Sequence, residues 1–183
     1  MNVRRGLLLA LLTAAGCGGE AISDATVSAP TTKPTPPPTT EPTPPPTTEE
    51  QRALPGLPAY TAGYRSWPKL NRKPIPPRPS GDAHLGTKNV YASKRRANGR
   101  FPDGTILVKE AVRPDKDFLG LIAVMRKRRG SDHAHNDWQF VELTRDAKGE
   151  PFTVTAPDAV CWSCHVGAEK TDYVWIYTLG LGR

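Results

Sequence analysis

Cys161-Trp162-Ser163-Cys164-His165, close to the C-terminus, is the stretch from which the rest of the 183-residue chain is interpreted. Its C-x-x-C-H pattern is the attachment signature for c-type haem. Two cysteines three residues apart lie on one side of a helical turn and face one edge of a flat macrocycle. Cys161 and Cys164 are therefore the predicted attachment points, and His165 the predicted axial ligand of the iron. We expect one covalently bound haem c.

Two other chemistries use similar residues. A thioredoxin-like C-x-x-C pair needs no histidine and normally opens a helix in a βαβ unit, which the surrounding sequence does not suggest. A zinc site formed by Cys161 and Cys164 with His133 and His135 has a spacing that departs from the usual finger patterns. Haem attachment is the favoured interpretation.

Residues 1–17 have the pattern of a bacterial lipoprotein signal peptide. Arg4 and Arg5 precede the short apolar run 6–12, which is too short to span a bilayer. The segment ends in Ala14-Ala15-Gly16-Cys17, where cleavage before Cys17 would allow its lipidation. An ordinary secretory signal is the alternative. Either signal predicts export to the bacterial periplasm, and a lipidated Cys17 predicts a membrane anchor.

Residues 18–50 form a low-complexity linker. Of the 20 prolines in the chain, nine fall between residues 30 and 46, and the segment 34–41 is repeated at 42–49. Proline at this density blocks helices and sheet ladders, and little apolar surface is present to bury. We expect a disordered stalk that holds the following domain away from the membrane, although a proline-rich ligand for a partner remains an alternative.

The formal net charge is +7, a balance that often indicates nucleic-acid binding. The export signal argues against that partner, and no nucleic acid is expected. The basic run 126–129 is interpreted as a solvated hairpin end, and attraction of an acidic redox partner protein is the alternative.

Residues 51–183 are long enough for one compact domain. The predicted fold is α+β, a mainly antiparallel β-sheet with a short N-terminal helix and a C-terminal haem-bearing helix. The expected helices are 60–67 and 157–167, and the expected strands are 88–92, 105–110, 119–125, 138–143 and 173–179. Strand alternation places Leu107 and Lys109 on one face and Val108 and Glu110 on the other.

Four pieces of sequence, in this order, resemble the cytochrome P-460 and cytochrome c-prime-beta family. They are Tyr64-Arg65-Ser66-Trp67, the stretch from Phe101-Pro102-Asp103-Gly104-Thr105 to Val108-Lys109-Glu110, Asn136-Asp137-Trp138, and Cys161–His165 followed by Asp172-Tyr173-Val174. The resemblance implies a mainly antiparallel β fold, a homodimer, and a haem iron bound by His165 on one side and open on the other.

The resemblance implies two possible activities, because the family contains two functional types. P-460 members oxidise hydroxylamine or related nitrogen species and carry a lysine bonded to the haem, which corresponds here to Lys109. Members of the c-prime-beta type lack that bond and bind gases such as nitric oxide. The enzymatic members also need a distal carboxylate, for which Asp103, Glu110 and Glu142 are the possible residues.

A third possibility is a periplasmic electron carrier, which requires a second axial ligand. Met125 is conceivable in that role, but a methionine in an apolar strand is more often part of the core. The histidines at 84, 133 and 135 lie in polar segments and are expected to be solvated. Trp162 is expected to cover the haem edge or to pack at the interface of its helix.

Overall fold

Five antiparallel strands form one sheet in the order β1-β2-β3-β4-β5, so each strand pairs with its neighbour along the chain. This computed structural model describes residues 53–183. The strands are β1 (Thr87–Ala92), β2 (Ile106–Val112), β3 (Leu119–Lys127), β4 (Trp138–Thr144) and β5 (Thr153–Ala156), and the helices are α1 (Asp158–His165) and α2 (Trp175–Thr178). The predicted α+β class with a mainly antiparallel sheet is confirmed.

The predicted signal peptide, Cys17 and the linker 18–50 lie outside the described residues. Among residues 53–183, none of the helices has the length and apolar character needed to cross a bilayer.

The alternation of side chains along β2 separates two apolar layers. Leu107 belongs to the layer that contains Phe101, Trp138 and Phe140. Val108 belongs to the layer on the opposite face, which also contains Ile122, Val124 and Leu143. Both faces of the sheet are therefore covered, and α1 with the C-terminal segment packs on the Leu107 face.

The predicted N-terminal helix 60–67 is wrong. Two short 3₁₀ turns, Ala59–Thr61 and Tyr64–Ser66, occupy this segment. Gly63 separates them with a φ of 67°, a left-handed conformation that stops helical hydrogen bonding.

The predicted closing strand 173–179 is also wrong. Asp172 and Tyr173 both have positive φ, and α2 follows at Trp175. Apolar residues in a short run do not distinguish a buried strand from a buried helix. The edge of the sheet is instead taken by β5, which was not predicted. Its four residues do alternate polar and apolar side chains, but the run is short and Thr153, Val154 and Thr155 are all exposed, so it shows no apolar face to bury.

A buried and an exposed aliphatic residue of the sheet allow a direct test of the core. Ile122 is fully buried, so Ile122→Ala should lower the free energy of unfolding by about 2–5 kcal/mol through lost burial and a residual cavity. Val154 on β5 is 62% exposed, and Val154→Ala should change it by less than about 0.5 kcal/mol. Denaturant unfolding measures both, and equal losses in the two variants would contradict this account of the core.

Candidate haem site

Helix α1 carries both cysteines of the C-x-x-C-H motif. Pro157 caps its first turn and Asp158 follows, where a carboxylate complements the helix dipole. The Asp158 side chain also accepts a hydrogen bond from the backbone N–H of Phe140 at 2.6 Å, which ties the start of α1 to β4. Neither cysteine is part of a disulfide, and Cys164 is exposed. Burial raises the pKa of the Cys161 thiol to about 11, so this group is protonated at neutral pH.

His165 ends α1 and is buried. Its Nδ1 lies 2.7 Å from the backbone carbonyl oxygen of Tyr173. A carbonyl can only accept, so Nδ1 carries the proton and Nε2 keeps its lone pair. Burial lowers the pKa of His165 to about 4, which keeps the imidazole neutral at physiological pH. A neutral imidazole with a free Nε2 is the form that binds iron.

The two cysteines and the histidine line adjoining hollows beside α1. The inner hollow is lined by Cys161 and the outer cleft by Cys164, and both are lined by His165 and Lys109. The outer cleft has a volume of about 690 Å³. Pockets for cofactors and small ligands typically measure about 300–1,000 Å³.

The sheet supplies an apolar wall to the inner hollow. The wall includes Val90, Leu107, Met125 and Phe140 from four successive strands. Met125 is 8% exposed and belongs to the core cluster, as its place in an apolar strand predicted. The Phe140 ring lies 4.5 Å from the His165 ring, centroid to centroid.

A chain of three polar side chains crosses the same face of the sheet. Lys109 on β2 and Glu142 on β4 both pair with Ala123 on β3, so the two residues are separated by one strand, about 10 Å apart across the ladder. The small side chain of Ala123 leaves room between them. His84 fills it, with Nδ1 at 2.6 Å from Lys109 Nζ and Nε2 at 3.1 Å from Glu142 Oε2.

The chemistry of the three groups fixes the direction of these hydrogen bonds. The Glu142 carboxylate accepts from His84 Nε2–H, and His84 Nδ1 then accepts from the Lys109 amine. Burial, followed by the charge of Lys109, lowers the pKa of His84, while the hydrogen bond from His84 lowers the pKa of Glu142. Burial also lowers the pKa of Lys109 to about 8, and the charge of Lys88 adds to the effect. Lys109 is therefore a lysine with an appreciable neutral fraction near pH 8.

The other two carboxylates that the sequence suggested lie elsewhere. Glu110 points to the opposite face of the sheet, where it accepts hydrogen bonds from Tyr64 at 2.8 Å and Tyr91 at 3.0 Å. Asp103 is exposed and accepts from the backbone N–H of Arg129. Of the three carboxylates, Glu142 alone is linked to Lys109 through His84.

The histidines behave differently from one another. The expectation that His84 is solvated is wrong: its side chain is only 16% exposed, because the loop after Pro79 folds over the cavity. His133 is solvated as expected, with 84% of its side chain exposed. His135 is paired with Asp132 at 2.7 Å. Within residues 53–183 no three His, Cys, Asp or Glu side chains are grouped as metal ligands.

Trp162 packs at the interface of its helix, one of the two positions that were expected. It stacks on the His135 ring at a centroid distance of 3.8 Å and meets the Phe140 and Tyr173 rings edge-on. These contacts hold α1 against β4 and against the segment that binds His165 Nδ1.

The residues present fit a c-type haem. Two thiols with helical spacing and one buried neutral imidazole line the two adjoining hollows, of which the inner has an apolar wall and the outer a suitable volume. The sequence identified the motif and Lys109, but it did not single out His84 or choose Glu142. Residues two apart on a strand share a face, so Glu142 could have been placed on the same face as Phe140. The loop sequence around His84 contains no motif that indicates a role for this histidine.

Comparisons with known proteins agree with this site. No curated protein matches the chain significantly. The family model for cytochrome P460 matches residues 61–176, which is more than half of the chain and includes all the residues that line the inner hollow. The chain therefore belongs to the cytochrome P460 family of haem c cytochromes.

Proposed function

We propose that the protein is a mono-haem c-type cytochrome that oxidises hydroxylamine or a related small nitrogen compound. Cys161 and Cys164 would bind the haem through thioethers, and His165 would bind the iron through Nε2. The haem would supply an iron that binds the nitrogen compound and accepts its electrons. Lys109, His84 and Glu142 would accept the protons that the oxidation releases.

The observation that carries this proposal is the hydrogen-bonded chain that runs from Lys109 through His84 to Glu142; Lys109 and His84 line the cavity together with His165. Oxidation of hydroxylamine to nitroxyl releases two electrons and two protons, so a proton acceptor has to lie near the substrate. Glu142 is ionised, and neutral His84 connects it to Lys109. The electrons would leave to a redox partner protein.

Lys109 would make a third covalent bond to the haem, in addition to the two thioethers. The amine faces the cavity from a strand rather than from a mobile loop, and its pKa of about 8 supplies a neutral nucleophile. Forming the nitrogen–carbon bond replaces one N–H and one C–H of the macrocycle, so two electrons and two protons are lost. A peroxide can take up both and is reduced to water.

The apolar wall favours a second candidate function, reversible binding of a gas such as nitric oxide. Val90, Leu107, Met125 and Phe140 offer no proton donor to a bound ligand. This function needs neither a bond at Lys109 nor a proton acceptor at Glu142. An electron carrier needs a second axial ligand and is less favoured. Met125 packs in the core cluster, and both nitrogens of His84 are already hydrogen-bonded.

The site of action would be the periplasmic side of a bacterial membrane. The pattern of residues 1–17 and the position of Cys17 support export and lipid anchoring, and residues 18–50 would serve as the spacer. Haem attachment to C-x-x-C-H in bacteria takes place outside the cytoplasm, which agrees with this location.

The first prediction concerns the covalent bonds. The purified protein should have the mass of the chain plus one haem, and trypsin should fail to cleave after Lys109, because a lysine bonded to the haem is not a substrate. The Lys109 peptide should be recovered joined to the peptide of Cys161 and Cys164. Lys94 is exposed at the start of the β1–β2 connection and should be cleaved normally. A free Lys109 peptide in a haem-loaded protein would favour gas binding over oxidation.

The second prediction compares two carboxylates on opposite faces of the sheet. Glu142→Gln removes the acceptor at the end of the chain and should lower the rate of hydroxylamine oxidation on the order of 10²-fold or more. Glu110→Gln makes the same chemical change on the face away from the cavity and should retain the rate. Steady-state assays with an artificial electron acceptor measure both. A Glu142→Gln enzyme as active as Glu110→Gln would remove Glu142 from the mechanism.

The third prediction concerns the anchor. Cys17→Ala should remove the lipidation site, so the protein should appear in the soluble periplasmic fraction or remain unprocessed. Fractionation with an antibody against the domain measures this, with the wild-type protein as the membrane-bound reference. Membrane association that survives Cys17→Ala would rule out the lipid anchor.

A further inference from the structure

The carbonyl that binds His165 belongs to an unusual backbone segment. Asp172 and Tyr173 are consecutive residues with φ of 61° and 63°. A left-handed conformation costs an L-residue roughly 1–2 kcal/mol, and a bulky tyrosine pays more than an aspartate. Backbone hydrogen bonds from Asp172 N–H to Glu169 and from Tyr173 N–H to Ala168 close this bend. Something outside the bend has to hold it, because the local conformation alone is unfavourable.

The Asp172 carboxylate stabilises the bend through contacts with other parts of the fold. Its side chain is fully buried and forms an ion pair with the Lys127 ammonium, whose nitrogen lies 2.9 Å and 3.0 Å from the two carboxylate oxygens. The backbone N–H of Phe101 donates to Oδ2 at 2.7 Å. Trp138 Nε1 donates to Oδ1 at 3.3 Å, and the Asn136 amide donates to the same oxygen.

These donors come from separate parts of the fold. Phe101 lies in the β1–β2 connection, Lys127 ends β3, and Asn136 and Trp138 stand at the start of β4. Phe101, Asn136-Asp137-Trp138 and Asp172-Tyr173 are also the pieces of sequence on which the family resemblance rested. Their shared contact is one carboxylate, so the pieces are related in space as well as in order.

We infer that Asp172 is a positioning residue for the proposed iron ligand. It fixes the bend at Tyr173, which aims the Tyr173 carbonyl at Nδ1 of His165. A hydrogen bond at Nδ1 makes Nε2 a stronger base and orients the ring. A more basic ligand stabilises the ferric state over the ferrous state, so this network lowers the reduction potential of the haem. The inference rests on the proposed ligation of iron by His165.

A purely structural role is the competing explanation, since removing one partner of a buried ion pair destabilises a protein in any case. The readouts therefore have to report on the iron–histidine bond. The iron–histidine stretching frequency in the resonance Raman spectrum of the ferrous protein depends on the strength of the hydrogen bond at Nδ1. The haem reduction potential, measured by redox titration, is the second readout.

In the haem-loaded protein, Asp172→Asn should shift the iron–histidine band to lower frequency and raise the reduction potential. Asn136→Ala and Trp138→Phe each remove one donor while keeping the ion pair with Lys127, and each should produce a smaller shift in the same direction. These two variants decide the question if Asp172→Asn does not accumulate. Asp172→Glu should restore part of the effect, because it keeps the charge opposite Lys127.

Glu110→Gln is the matched control, since Glu110 is also a carboxylate with several donors but lies on the opposite face of the sheet. It should lower the melting temperature and leave the band and the potential unchanged. Unchanged values in Asp172→Asn, Asn136→Ala and Trp138→Phe, with lower melting temperatures, would overturn the inference and leave the ligation intact. A wild-type ferrous spectrum without an iron–histidine band would contradict a five-coordinate iron bound by His165 and would overturn the inference with it.

Discussion

The hydrogen bond between His165 Nδ1 and the Tyr173 carbonyl is the constraint around which the C-terminal part of the molecule is arranged. It joins the end of α1 to a segment eight residues later in the chain. Because a carbonyl only accepts, the bond also determines which ring nitrogen stays free. The residues from 166 to 174 turn back on themselves to make this contact, and the buried Tyr173 and Val174 side chains anchor the turn in the core.

The sheet contributes a second constraint through its side-chain period of two. Lys109 and Glu110 are neighbours in sequence, yet one faces the cavity and the other a cluster of tyrosines on the opposite face. A slip of one residue between β2 and its partners would exchange these two surroundings. The two apolar layers prevent the slip, because Leu107 and Val108 would also have to exchange places.

Much of this arrangement could be predicted from the sequence. The C-x-x-C-H motif located α1, alternation described β2 and β4 and placed Lys109 on the face of Leu107, and a continuous apolar run located β3. The failures have physical causes. Gly63 split a predicted helix, and the strand predicted at 173–179 failed because the left-handed bend at 172–173 depends on donors 34 to 71 residues away in the chain. His84 belongs to a loop whose position is set by Lys109 and Glu142, so no local pattern could indicate its role.

The meander order of the strands has a consequence for how the chain folds. Each strand pairs only with its neighbour in sequence, so every loop that closes during sheet formation is short and its entropic cost is small. The last paired residue of the sheet is Ala156. Pro157 follows it directly and precedes the helix that carries the two cysteines. We therefore expect the sheet to form first, with its Leu107 face covered last by the C-terminal residues. In such an order the thiols remain accessible until the rest of the fold is ready to receive the cofactor.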